Sequence, residues 1–556
     1  MTTPLRVTRH FVTVGNRLVH YRRAGSGPPV VVLHQSPMSS LWVMPHIERF
    51  ASHFTVIAPD TPGNGESGPL SKDRPEIVDY AEALGEFLTA LGLANVALFG
   101  DHTGACIVAE FARRHPERVR IAVVEGIVVL PEDERRDLLA NYTPGLHAKW
   151  DGSHMVWAWF RLREQTMFFP WFRHTAASRR FRDVKGPEAL HEEMLQLLRA
   201  GDHYRNPYDA AFRFRGEQVL ADIRAPTHVI VMAFDPITPY LGTMGDLPEA
   251  VKIERFGHDR DPMWARSIEL LKGAAAGVPP KPTQASRIKG RLVSDVIDAG
   301  DRLVAVRRND DVAGRPVVLL HDVLQSARTL DRLAQAFIGK RPVLAIDLPG
   351  HGDSEAGETS VAAWARTVDA VLVAHGLANT DIVGVGMGGA VAAELAAKFA
   401  GRVQSTTLID PWPVDGVERT ALIENLVPDL TPRWDGGHAL SAWHAARNQG
   451  IFWPWYRQSG ATMLRGVPDV EDAIVAERAM ALFKSAPKAH EAVAAALQYP
   501  LEGRLTELTG AVRIAASSGG AHLERARSLA AAAGKPFYEL PDAMADWAGQ
   551  ILVFVS

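Results

Sequence analysis

Gly100-Asp101-His102-Thr103-Gly104 sets a histidine between two glycines, after the apolar run Val96–Phe99 and before the small-residue run that opens at Ala105. The spacing G-x-nucleophile-x-G fits a tight strand-to-helix turn that lifts its middle side chain above the end of a sheet. Glycines stand where a Cβ would collide. Serine, cysteine or aspartate usually does the attacking from such a turn. Imidazole could act there as a nucleophile through a labile acyl-imidazole, as a base sharing a proton with a second histidine, or as a ligand of zinc. Further along, Asp235 stands in Phe234-Asp235-Pro236 and His258 follows Gly257. Read alone, the first is a turn residue and the second a surface histidine.

Elements that could position these groups alternate along the chain. Apolar runs Pro29–Leu33, Phe54–Pro59 and Val96–Gly100 are separated by helical stretches, which predicts a mostly parallel, doubly wound α/β sheet covered on both faces. Such sheets present their reactive loops at the carboxyl ends of strands. Those loops are His34-Gln35-Ser36-Pro37, Asp60 to Ser67, and the histidine turn.

The pattern occurs twice. Trp150-Asp151-Gly152-Ser153-His154 returns as Trp434-Asp435-Gly436-Gly437-His438, and Phe168-Phe169-Pro170-Trp171 as Phe452-Trp453-Pro454-Trp455, at a constant offset of 284 residues. Asp60-Thr61-Pro62-Gly63 matches Asp347-Leu348-Pro349-Gly350 at an offset of 287. The expected organisation is a first domain over 1–275, a proline- and glycine-rich linker over 276–288, and a second domain over 289–556. Each domain carries a mostly helical insertion, at about 130–218 and 414–502.

Both halves resemble α/β-hydrolase domains. The residues that carry the resemblance are Leu33-His34 with its polar loop, the D-x-P-G-x-G-x-S stretch from Asp60, the histidine turn, Phe234 to Pro239, and Gly257-His258. The resemblance implies chain order nucleophile, acid, histidine, hence His102, Asp235 and His258. It implies oxyanion contacts from the backbone of Thr103 and of Gln35 or Ser36, and a cap over the pocket. A zinc held by His34, His102 and His258 competes with Asp235's implied role of orienting His258, so neither a metal nor a cofactor is expected.

The second half offers an internal control. Gly386 stands where His102 stands, Ser517-Ser518-Gly519-Gly520 follows the strand that should present an acid, and Pro541-Asp542-Ala543 replaces the histidine. That half reads as a degenerate, pseudoenzyme-like domain. In the caps, residues shared by both halves, such as His154 with His438 and Gln165 with Gln449, read as packing. The discordant Trp157, Phe160 and Arg161 read with His34 as pocket residues.

A formal net charge of −4 with 22% charged residues offers no broad basic face, so neither nucleic acid nor an anionic membrane is expected as partner. The single cysteine, Cys106, forms no intrachain disulfide, and no signal-like or membrane-length apolar run is present, which fits a cytoplasmic protein. The expected partners are a small-molecule substrate and, within the chain, the two domains as a pseudo-dimer. The expected function is action on an ester, lactone, thioester or activated carbon–carbon bond. The alternatives are a cofactor-free lyase or oxygenase, or a binding protein without turnover.

Overall fold

Every residue of Pro29–Leu33 and of Thr55–Pro59 is buried. Strands buried on both faces need helices on both sides, and that requirement shapes each half of the chain. A computed structural model describes residues 5–243 and 245–554. Its first sheet contains β1 (Thr8–Val14), β2 (Arg17–Ala24), β3 (Pro29–Leu33), β4 (Thr55–Pro59), β5 (Val96–Asp101), β6 (Val119–Glu125), β7 (Thr227–Met232) and β8 (Val251–Phe256). They lie in the order β1-β2-β4-β3-β5-β6-β7-β8. The first two strands pair antiparallel, β2 joins β4 antiparallel, and all later pairings are parallel. Strand order therefore reverses beside β3 and β5, where open α/β sheets gather their reactive loops.

The second sheet contains β9 (Val293–Asp298), β10 (Leu303–Asn309), β11 (Val317–Leu320), β12 (Val343–Ile346), β13 (Thr380–Val385), β14 (Val403–Ile409), β15 (Ala511–Ser517) and β16 (Phe537–Leu540). Its order, β9-β10-β12-β11-β13-β14-β15-β16, reproduces the first. The chain packs as two units. One comprises residues up to His147 together with Trp157–Ser286, and the other Ala148–Val156 with Arg287–Ser556. Part of the expected linker is docked within the first unit: Thr13 Oγ1 donates to the Ser286 carbonyl at 2.8 Å, and Thr283 Oγ1 to the Phe11 carbonyl at 3.0 Å.

Helices Glu132–Asn141, Ser153–Met167, Pro187–Ala200 and Arg205–Arg213 lie between β6 and β7, and Gly416–Asn425, Gly437–Asn448, Asp472–Ser485 and Ala489–Gln498 between β14 and β15. Asp151 and Asp435 accept the backbone N–H groups of Ser153 and Gly437 at 3.0 and 2.9 Å, so each anchors the start of its helix. Among the described residues no helix is long and apolar enough to cross a membrane.

Candidate active site

The histidine turn closes tightly. A Cβ at Gly100 would lie 2.4 Å from the Gly104 carbonyl oxygen, and one at Gly104 would lie 2.6 Å from the Leu33 carbonyl oxygen. His102 itself takes φ +50°, a left-handed conformation that a non-glycine residue adopts only when its surroundings impose it. They do so through β6, whose Glu125 carbonyl accepts the His102 N–H at 2.8 Å, and through the helix Thr103–Arg114 that starts immediately after.

Its imidazole lies between two carboxylates. Nδ1 donates to Asp101 Oδ1 at 2.5 Å, and Nε2 faces Asp235 Oδ2 at 3.2 Å. Asp101 Oδ2 accepts the Trp42 indole N–H at 2.7 Å, and Asp235 Oδ1 accepts the Ile237 N–H at 3.1 Å, so both carboxylates are fixed from behind. Burial by itself would lower the His102 pKa, but Asp235 and then Asp101 outweigh it and raise it well above the ordinary value. Burial would likewise raise Asp101, yet His102's charge and hydrogen bond bring it down to about 2. Asp235 is lowered for the same reason. These shifts favour an imidazolium with a carboxylate on each nitrogen.

Several expectations fail here. His258 does not join Asp235: it is exposed, with its ring 6.5 Å from that of Phe234. Both Asp235 oxygens are already engaged, by His102 and by Ile237. His34 is buried behind its loop, with Nδ1 bonded to the Gln35 carbonyl at 2.8 Å and Nε2 accepting the Thr61 N–H at 2.9 Å. Neither nitrogen remains for a metal or a substrate. Three histidines therefore do not converge, and no group of three or more metal-type ligands occurs among the described residues.

A cavity of 540 Å³ opens over His102, bordered by Gln35, Ser36, Asp101, Thr103 and Asp235 among others. Trp157, Phe160 and Arg161 do not border it. The inward face of helix Ser153–Met167 carries Leu162, Gln165 and Thr166 instead, one stripe at i, i+3 and i+4. Trp157 packs edge-on against Trp171, Phe160 is 39% exposed, and Arg161 is buried behind the wall among Tyr142, Tyr204 and Tyr208. Gln165, read from sequence as packing because Gln449 repeats it, faces the cavity.

Sequence reading gave Asp101 and Gly126 no role. Gly126, at φ +69°, ends β6, and a Cβ there would stand 2.8 Å from the His102 ring. Arg260 also borders the cavity and is held by the buried Glu125 at 2.8 Å. A carboxylate adjacent to the turn histidine was the available signal for Asp101.

The model of the alpha/beta hydrolase fold family matches residues 28–258 and 316–440. The chain belongs to that family. It is similar to the (E)-2-((N-methylformamido)methylene)succinate hydrolase of Acinetobacter baylyi, 34% identical over 113 residues, 20% of this chain and 43% of that protein. It is also similar to a haloalkane dehalogenase of Sphingobium indicum, 35% identical over 142 residues, 23% of this chain and 47% of that protein. The chain thus spans less than half the length of these relatives. Among solved structures, epoxide hydrolase A from Mycobacterium thermoresistibile aligns at 19% identity and TM-score 0.40, covering 49% of this chain and 100% of that one.

In the second α/β-hydrolase domain the equivalent positions are rearranged. Gly386, at φ +56°, leaves the turn without a side chain, and Asp322 occupies the space: a Cβ on Gly386 would lie 2.2 Å from Asp322 Cγ. Asp322 Oδ1 accepts the N–H groups of Met387 and Val323 at 2.7 and 2.8 Å. By the repeat these positions correspond to Thr103 and Ser36. Burial pushes the Asp322 carboxyl up to about 7.

Proposed function

We propose that the first domain is an enzyme whose Asp101, His102 and Asp235 form an acid–base centre acting on a small organic substrate with an ester, lactone, thioester or activated carbon–carbon bond. The observation that carries this reading is the placement of one carboxylate on each imidazole nitrogen of His102. An imidazolium held in this way has no lone pair, which speaks against attack by His102 itself. It is a proton donor. As Nε2 passes its proton to the leaving group, Asp235 loses the partner that kept its pKa low and becomes the better acceptor for a proton of the attacking water. The water oxygen bonds to the carbonyl carbon, the scissile bond breaks, and the leaving group departs with the electron pair and the Nε2 proton.

In this mechanism the backbone N–H groups of Ser36 and Thr103 hold the carbonyl oxygen as charge develops on it. Support comes from the second domain, where Val323 and Met387 direct their N–H groups at a single carboxylate oxygen. Similarity to a hydrolase of a methylene succinate supports the hydrolytic direction. The second domain, with Gly386 and a self-filled oxyanion position, contributes no chemistry in this reading. Without water, the same centre would remove a carbon-bound proton as a lyase does, and Asp235's place on the cavity wall supports that second reading.

Single turnover in heavy-oxygen water, stopped by acid and read by mass spectrometry, tests the proposal. The expected result is label in the product and unmodified His102. An acyl adduct on His102 would restore the nucleophile, and full activity in His102→Ala would remove the centre altogether.

A further inference from the structure

Arg161, Arg179, Arg180 and Arg182 lie in or behind the walls around Asp235, and among the described residues none of them forms an ion pair with a carboxylate. Arginines in loops are usually solvated, and Arg179 and Arg182 are exposed. The other two are not. Arg180 is half-buried, with Nη1 donating only to the Gln165 carbonyl at 3.3 Å. Arg161 is 1% exposed; its Nε and Nη2 have no hydrogen-bond partner, and its guanidinium lies over the rings of Tyr142 and Tyr208 at 5.3 and 5.4 Å. Burying a guanidinium is costly, and Arg180 reflects this: burial first, then Arg182, lowers its pKa, while the nearby charge of Asp235 offsets part of the effect.

The cations face the reacting centre. Arg180, Arg182 and Arg260 border both the 540 Å³ cavity over His102 and an adjoining cleft of 830 Å³, and Asp235 is common to the two. Arg161 adds a directional effect. It donates to the Gln165 side-chain oxygen, and because arginine carries no acceptor, the Gln165 amide is fixed with its N–H2 group turned the other way. Gln165 borders the cavity, so that group is available to a ligand.

The second domain has the same loop with other residues at these arginine positions, its Arg465 standing opposite Phe181. Arg180 N–H donates to the Met167 carbonyl at 2.7 Å and Leu464 N–H to the Ile451 carbonyl at 2.8 Å, which fixes Leu464 as the counterpart of Arg180. Matching bridges, Phe168 with Arg179 and Phe452 with Met463, fix Met463 opposite Arg179. Ala445 stands where Arg161 stands, at the same offset. The backbone path is therefore kept without these arginines, so folding of the loop does not explain them. They disappear together with the histidine of the turn.

We propose that the first domain's cavity takes a small organic acid, its carboxylate bound by the Arg180 guanidinium and the Gln165 amide N–H2, with its reacting carbonyl at His102. Two donors facing one site match the two oxygens of a carboxylate. The apolar remainder of the wall, with Leu130, Leu138, Leu162 and Ile237, suits a short hydrocarbon body. The proposal rests on His102 being the reacting centre, but its test reads binding and needs no turnover.

Isothermal titration of the full chain with butyrate, succinate, glutarate and adipate, beside their amides and glycerol 3-phosphate, decides it. At least one acid should bind in the millimolar range or tighter and its amide at least tenfold more weakly. Arg180→Leu, the residue of the second domain's loop, and Arg180→Gln should each weaken the acid at least tenfold and leave amide binding unchanged. Equal binding of acid and amide, no binding of any acid, preference for the phosphate ester, or undiminished acid affinity in both variants would overturn the proposal. If acids bind through Arg180 while His102→Ala retains full turnover, the acid–base reading fails and the anion site stands.

Discussion

Gly126 leaves open the space that the His102 imidazole fills, and in the second domain the two residues exchange sizes. Gly386 replaces His102, and Asp410 replaces Gly126 with its carboxylate on Ser517. Both members of the second pair keep left-handed backbones, at φ +56° and +49°, like the first pair at +50° and +69°. One backbone design therefore carries a side chain from β5 in one half and from β14 in the other.

Gly126→Ala should displace the His102 ring, because the new Cβ would stand 2.8 Å from it at a backbone angle that alanine resists. We expect a loss of about 1–3 kcal/mol in thermal or denaturant unfolding and a loss of activity larger than that instability explains. Unchanged turnover would mean that the ring position is not critical.

His102→Gln should abolish most activity, by about 10²–10⁴-fold if His102 is the general acid. It should also flatten the pH dependence of stability. A raised histidine pKa contributes stability that is full below the unfolded value of 6.5 and is lost as pH rises through the higher folded value. The lowered Asp101 contributes above its unfolded 3.8 and loses that contribution as pH falls toward about 2. The stability gap between wild type and variant should be widest between these unfolded values and narrow on both sides. A gap independent of pH would show that the charged array is absent.

His258→Ala should reduce activity by less than about tenfold, since the ring is exposed and makes no contact with Asp235's carboxylate. A loss of a hundredfold or more, the size expected of a general base, would show that the histidine swings inward in the working enzyme.

Gly386→Ser should destabilise the second domain by about 1–3 kcal/mol, from its left-handed backbone and the collision with Asp322, and leave turnover per folded molecule unchanged. Differential scanning calorimetry beside an activity titration separates the two effects. Equal loss in both would make the second domain part of the working site.

The turn at His102 and the repeated sheet were legible in the sequence because each depends on local backbone geometry, whereas Asp235, a turn residue when read alone, was singled out only by the family resemblance. Glycines at 100 and 104 are required wherever a strand turns so sharply into a helix, and apolar runs bounded by turns specify buried parallel strands. What stayed hidden was the direction of side chains. In an extended strand Asp101 and His102 would point to opposite faces. The left-handed φ of His102 breaks that alternation and brings the two side chains together. His258 lies just ahead of the helix Asp261–Ala274, and only the folded path of that loop decides that it faces solvent. Gln165 and Arg161 sit on one helix, four residues apart. Which of them borders the cavity was fixed by how that helix rotates against its neighbours, an outcome of packing among distant residues that spacing alone does not encode.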